Sequence, residues 1–151
     1  QAGIRLIGTG DVTDDDLLES MGAPAVGIIT SFHYSAAHDS PENKAFVDAY
    51  RKAYGPNART NFYMVGTWDG MGAIYETARR LNGNIDGDKA VEILKSLKIE
   101  SPRGPITIDP DTRDIIQNIY MRKVEKVGNE LQNVEFATFE AVKDPVKAAK
   151  K

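Results

Sequence analysis

Residues 101–139 read SPRGPITIDPDTRDIIQNIYMRKVEKVGNELQNVEFATF, and they restrict the possible folds more than any other stretch. Pro102 and the pair Gly104-Pro105 break whatever precedes them. Ile106 and Ile108 alternate with polar neighbours, as in a half-buried strand. Asp109, Pro110, Asp111 and Thr112 supply turn chemistry: proline fixes φ, and the Asp and Thr side chains can bond nearby backbone N–H groups. A β-rich run follows over residues 115–127, Gly128-Asn129 can reverse the chain, and Val134, Phe136 and Ala137 rebuild a second strand. Such an ending requires a hairpin, whatever comes before it.

Upstream, strand and helix patterns alternate, which predicts an α/β layer architecture. Residues 4–7 are apolar between Gly3 and Gly8 and read as a buried strand, followed by a loop at Thr9, Gly10 and Asp11. Thr13 begins a short helix with Asp14, Asp15 and Asp16 in its first turn, where the helix dipole favours carboxylates. Three consecutive acids do not reproduce the alternate-position ligands of a calcium loop. Residues 25–32, AVGIITSF, form a second apolar strand. Ser40 and Pro41 open a helix with Phe46, Ala49, Tyr50 and Ala53 on one face, stopped at Gly55-Pro56. Residues 62–81 read as one helix, in which Gly66, Gly70 and Gly72 suggest close approach to a sheet. Asp86 or Asp88 caps a further helix ending near Leu97, with Ala90, Ile93, Leu94 and Leu97 as its apolar stripe. The tail KDPVKAAKK is charged and expected to fray at its end.

The ordered series carries a resemblance: GIITSFHYS, NKAFVDAYRKAYG, GTWDGMGAIYETARRL, then G-P-I-T-I-D with T-R-D, Q-N-I-Y-M-R-K-V, a turn, and V-E-F-A-T. It resembles the type I periplasmic solute-binding proteins of ABC transporters, in the group that takes branched-chain amino acids, aromatic acids and amides. The likeness covers nearly the whole chain, which corresponds to the C-terminal portion of such proteins. It implies a partial type I binding-protein fold: elements of two Rossmann-like lobes joined by hinge crossings. On this reading residues 1–32 end the C-terminal lobe, 33–118 belong to the N-terminal lobe, 119–142 cross back and add strands to the C-terminal lobe, and 143–151 are a tail.

The same resemblance implies where solute contacts fall. In open α/β sheets ligands sit beyond the carboxyl ends of strands. An acid in the loop after the first strand meets the ammonium of amino-acid ligands in this family. Asp11 is the nearest match, with Gly10 one position away and Thr9 beside them; Asp11 as a simple turn cap is the competing reading. The crossing at Phe32, His33 and Tyr34 lies at the cleft floor, where these rings suit an aromatic carboxylate; a structural or surface histidine is the alternative for His33. Trp68 is expected mainly in packing, and His38 in solvent.

Composition and motifs narrow the remaining classes. A net charge of −3 argues against a nucleic-acid partner. With no Cys there is no disulfide, thiolate nucleophile or zinc-thiolate site, and two histidines without a spaced acid do not make a metal site. G-x-S-x-G, H-E-x-x-H and P-loop motifs are missing, and Gly8-Thr9-Gly10 lacks the third glycine of a dinucleotide fingerprint. The expectation is a binding protein without catalytic residues, cofactor or metal. Its partners would be a small solute, a membrane permease, and the remaining portion of its own chain or another copy, in the periplasm. A sensory domain of the same fold is the alternative, and an α/β enzyme the weaker one.

Overall fold

The computed structural model describes residues 3–149 of the 151-residue chain. Strand β1 (Ile7–Thr9) is followed by a 3-10 turn (Gly10–Thr13), helix α1 (Leu18–Met21), a second 3-10 turn (Ala23–Ala25) and strand β2 (Ile29–Phe32). Helices α2 (Pro41–Tyr54), α3 (Phe62–Arg80) and α4 (Gly87–Lys95) come next. Strands β3 (Lys98–Ser101), β4 (Gly104–Ile108), β5 (Ile115–Val127) and β6 (Glu130–Val142) and the short helix α5 (Pro145–Ala148) complete the chain.

The six strands lie in the order β1-β2-β5-β4-β3, with β6 along the other side of β5. Only β1 and β2 run parallel; the remaining ladders are antiparallel. β5 is the axis. Its first residues, Ile115 and Ile116, pair with β4, and Tyr120 to Lys123 pair with β2. The register against β6 shifts between Gln117 and Ile119, between the two sets of partners. Two buried apolar clusters flank this axis. Leu18, Ala25 and Val124 form one with Met21, Ile28 and Leu131. Tyr34, Phe46 and Val65 form the other with Phe62 and Met64.

Local signals set the helix ends. Ser40 Oγ accepts from the amide of Asn43, with Pro41 at the first helical position. Asp86, not Asp88, caps α4 by accepting from the amide of Lys89. Asp109 organises the turn before β5, accepting from the amides of Asp111 and Thr112. Pro102, between β3 and β4, and Gly104, the first residue of β4, serve a hairpin in which Gly104 takes a left-handed φ of +92° against the Tyr120 hydroxyl.

Several expectations are corrected. The first strand is residues 7–9, not 4–7, and it is not buried: Ile4 is 77% and Ile7 72% exposed, because β1 is an edge strand that pairs, among the described residues, with β2 alone. The second strand is shortened to Ile29–Phe32 because Gly27 adopts a φ of +92° and its amide donates to Val124. Thr13 does not open a helix; it ends the 3-10 turn and buries its hydroxyl against Asn133. Asp14 and Asp15 turn inward, and no side chain caps α1. Gly66, Gly70 and Gly72 meet no neighbour, so α3 does not approach a sheet through them. Ala49 and Ala53 on α2, and Ile74 on α3, are exposed although their spacing marks an apolar face. His38 is not solvated: its Nδ1 lies 2.9 Å from Glu135 Oε2 and its ring 4.9 Å from that of Tyr120. Lys150 and Lys151, at the end of the tail expected to fray, lie outside the described residues.

Candidate functional site

The parallel pairing of β1 and β2 sets Thr9 opposite Ser31, so the carboxyl ends of both strands open on the same side of the sheet. Residues 9–11 and 32–34 are thereby neighbours, at the kind of position where α/β sheets take ligands. Thr9 and Asp11 are exposed and Gly10 is buried. Gly10 lies against Phe32 so closely that a Cβ there would overlap the ring. His33 is tilted against Phe32 with ring centroids 4.4 Å apart. Phe62, at the start of α3, meets Phe32 edge-on at 5.0 Å and His33 at 6.1 Å, and Tyr63 follows at 3.9 Å from Phe62. Four rings from two segments thus gather beside the loop after β1.

Neither nitrogen of His33 has a hydrogen-bond partner among the described residues, and burial pushes its pKa down to about 4, with Arg103 and Arg122 adding repulsion. At neutral pH it is an uncharged imidazole with one donor and one acceptor free. Tyr34 behaves differently from its neighbours. It is fully buried; its hydroxyl donates to Asn43 Oδ1 at 3.1 Å and lies 2.8 Å from Thr60 Oγ1. Burial raises its pKa. Tyr34 therefore belongs to the core between β2 and α2, which corrects its assignment as a pocket-lining ring.

Beneath these segments lies a charge network that the sequence patterns had not marked. Arg122, on β5 directly opposite Thr30 of β2, is fully buried. Its Nε and Nη2 donate to Thr30 Oγ1, Nη2 also donates to the Gly10 carbonyl at 2.9 Å, and Nη1 donates to the Tyr34 carbonyl. The guanidinium sits 5.0 Å from the centre of the Phe32 ring. Asp15 Oδ2 is 4.0 Å from Nη1 and accepts from the amide of Ala36, while Asp15 Oδ1 accepts from Asn133. Asp14 beside it has its pKa raised to about 6 by burial, with Asp16 and Asp15 adding repulsion. A second buried pair ties α3 to the β3–β4 hairpin: Arg103 Nε donates to Asp69 Oδ2 at 2.8 Å, and Ser101 donates to the same oxygen. One signal for Arg122 was present in the sequence: it falls between Tyr120 and Val124 on the inward-facing alternation of β5.

An apolar groove of about 560 Å³ lies elsewhere, between α2 and α3, lined by Phe46, Tyr50, Met64, Trp68, Met71 and Tyr75. Trp68 itself is 52% exposed. Among the described residues no group of three acids or histidines is placed to hold a metal ion. No helix among them is long and apolar enough to cross a membrane.

A family model described as periplasmic binding protein matches residues 1–129, and the chain belongs to that family. Its α/β sheet is that of the type I binding proteins. More particularly, it is 56% identical to a solute binding protein of an ABC transporter from Rhodopseudomonas palustris BisB5, solved in complex with 3,4-dihydroxybenzoic acid. That match has a TM-score of 0.92 over 97% of this chain and 40% of the other. A solute binding protein from Rhodopseudomonas palustris HaA2, solved with p-hydroxybenzoic acid, is 41% identical with a TM-score of 0.90, over 97% of this chain and 40% of that one. The Leu/Ile/Val-binding protein homolog 6 of Brucella abortus is 46% identical over 145 residues, 95% of this chain. The chain spans 37% of that relative's length.

Proposed function

We propose that the chain is the C-terminal portion of the solute-capturing component of an ABC-type uptake transporter, and that its solute is a small aromatic carboxylate. The observation that carries this reading is the cluster of Phe32, His33 and Phe62 beside Gly10 at the ends of two parallel strands. It supplies ring faces and edges to sandwich an aromatic solute and an uncharged imidazole to meet a ring hydroxyl. The identity to a protein solved with 3,4-dihydroxybenzoic acid points the same way. Thr9 and Asp11 stand at the rim. Tyr34 supports the floor from below.

Closure is by hinge motion. Residues 1–32 and 119–142 contribute to one lobe, 33–118 to the other, and 143–151 form the tail. Two separate apolar clusters, and the change of ladder partner along β5 at the register shift near Gln117, support this division. Solute touching both lobes shifts the open–closed equilibrium, and a membrane permease accepts it from the closed form, in the periplasm. No catalytic step is required. The apolar groove between α2 and α3, the unopposed glycines of α3 and the exposed edge at β1 support completion of this fold by further polypeptide of the same protein.

Calorimetric titration of the longer protein with 4-hydroxybenzoate, 3,4-dihydroxybenzoate and leucine tests the reading. One-to-one binding of a benzoate, with a fall in radius of gyration by X-ray scattering, is expected. Binding of leucine but no benzoate would reject the aromatic assignment, and turnover of the bound acid would reject the assignment as a carrier.

A further inference from the structure

We propose that Arg122 is the positioning residue that holds the two segments meeting at the solute site, residues 9–11 and 32–34, at one fixed spacing. This rests on the reading above that those segments face the solute.

A single side chain from a third strand reaches both segments. Arg122 Nη2 donates to the carbonyl of Gly10, Nη1 to the carbonyl of Tyr34, and the guanidinium carbon sits over the Phe32 ring, 5.0 Å from its centre. Thr30 Oγ1 accepts from Nε and Nη2 and fixes the fork. These bonds join residues 88 to 112 positions apart in sequence, so local structure does not duplicate them. A buried cation is costly unless compensated. Here Asp15 lies 4.0 Å away, with Asp14 and Glu135 also acting on it. Asp15 is in turn tied to Ala36 and Asn133, so the counter-charge reaches the start of the β2–α2 connection and β6.

A cation placed only to balance Asp15 needs no particular fork. Two backbone carbonyls and an aromatic face on one planar group do need one, and lysine has no such geometry. The sheet pairs of β2 and β5 hold the strand stems; nothing in the ladders holds the loop after β1 against the loop after β2. Arg122 supplies that link. When it is loosened the two segments sample more spacings, and solute affinity falls in proportion to the loss of the competent arrangement.

The experiment is Arg122→Lys in the longer protein, beside Ile106→Ala, a truncation of a buried side chain on β4, which belongs to neither apolar cluster. Amide hydrogen exchange without solute is expected to quicken about tenfold over residues 10–14 and 33–36 in Arg122→Lys and to stay unchanged there in Ile106→Ala. The Kd for 4-hydroxybenzoate is expected to rise about tenfold in Arg122→Lys and to stay within about twofold in Ile106→Ala at a temperature where both are folded. Unchanged exchange in Arg122→Lys, or equal loss of affinity in the two variants, would overturn the proposal. If Arg122→Lys does not fold, Thr30→Val removes the hydroxyl that seats the fork; that hydroxyl also lies 3.4 Å from Thr13 Oγ1, so the readout is exchange over residues 33–36, expected to quicken by a smaller factor, and its absence counts equally against the proposal. A wild type that binds no benzoate rejects the functional reading, whereas the exchange measurement judges Arg122 independently of any solute.

Discussion

Gly10 and Phe32 are packed so tightly that the glycine has no room for a methyl group: a Cβ at Gly10 would fall within the Phe32 ring and beside its Cβ. The obstacle is a half-buried ring pinned by Arg122 and Phe62, not the free end of a flexible chain. Gly10→Ala is therefore expected to displace the ring or the loop, with a stability loss of about 1–3 kcal/mol in chemical unfolding. Aromatic acid affinity is expected to fall with it. A variant as stable as wild type would show that the ring moves freely.

Tyr34 offers the converse case. Its hydroxyl is bonded to Asn43 and Thr60 and is sealed from solvent. Tyr34→Phe is expected to lower stability by about 1–2 kcal/mol, because two polar partners lose a buried neighbour, and to leave solute affinity unchanged. Calorimetry showing a large affinity loss in a stable variant would return Tyr34 to the pocket.

The Asp69–Arg103 pair is nearly sealed, with side-chain exposures of 5% and 9%, and Asp69 Oδ1 has no hydrogen-bond partner among the described residues. Arg103→Leu leaves a carboxylate buried without its cation, an expected cost of about 3–5 kcal/mol. Adding Asp69→Leu is expected to recover part of that loss, and a double-mutant cycle measures the coupling. Additive losses would show that the pair does not interact.

Asp14 makes the fold pH-sensitive in a definite direction. Its folded pKa of about 6 lies above the ordinary 3.8, so between these values the folded state keeps a proton that the unfolded state has lost. Stability contributed by Asp14 is present below pH 3.8 and is lost as pH rises through 6. His33, held down to about 4 from 6.5, acts oppositely: its contribution is present above pH 6.5 and lost as pH falls toward 4. Comparing Asp14→Asn with wild type at each pH cancels the His33 effect. The variant is expected to be more stable at pH 7.5 by about 1–3 kcal/mol, with the difference shrinking toward pH 4. An equal difference at both pH values would contradict the assignment.

The isolated 151-residue chain exposes Tyr63, Trp68, Ile74 and Tyr75 along α3 and an unpaired edge at β1. It is expected to associate in light scattering and to bind 4-hydroxybenzoate weakly or not at all. Trp68 is the single tryptophan, so its emission should shift to the blue when the groove between α2 and α3 is covered. A monodisperse monomer that binds one equivalent tightly would refute the need for further polypeptide.

What the sequence settled by itself was local. Ser40 with Pro41, Asp109 with its turn, and Gly128 between β5 and β6 each act on backbone groups a few residues away, so their effects can be read without knowing the fold. The ordered motifs also sufficed for the α/β class and the family. Tertiary structure decided the rest. Whether Tyr34 faces solute or core depends on Asn43 and Thr60, and whether the glycines of α3 touch anything depends on what lies across from them. Arg122 meets Gly10 only because the β2–β5 register sets it opposite Thr30, and His38 meets Glu135 only because β6 returns along β5. Contacts a hundred residues apart are fixed by strand register and burial. A chain's own neighbours cannot specify them, since one step of register turns every side chain to the opposite face.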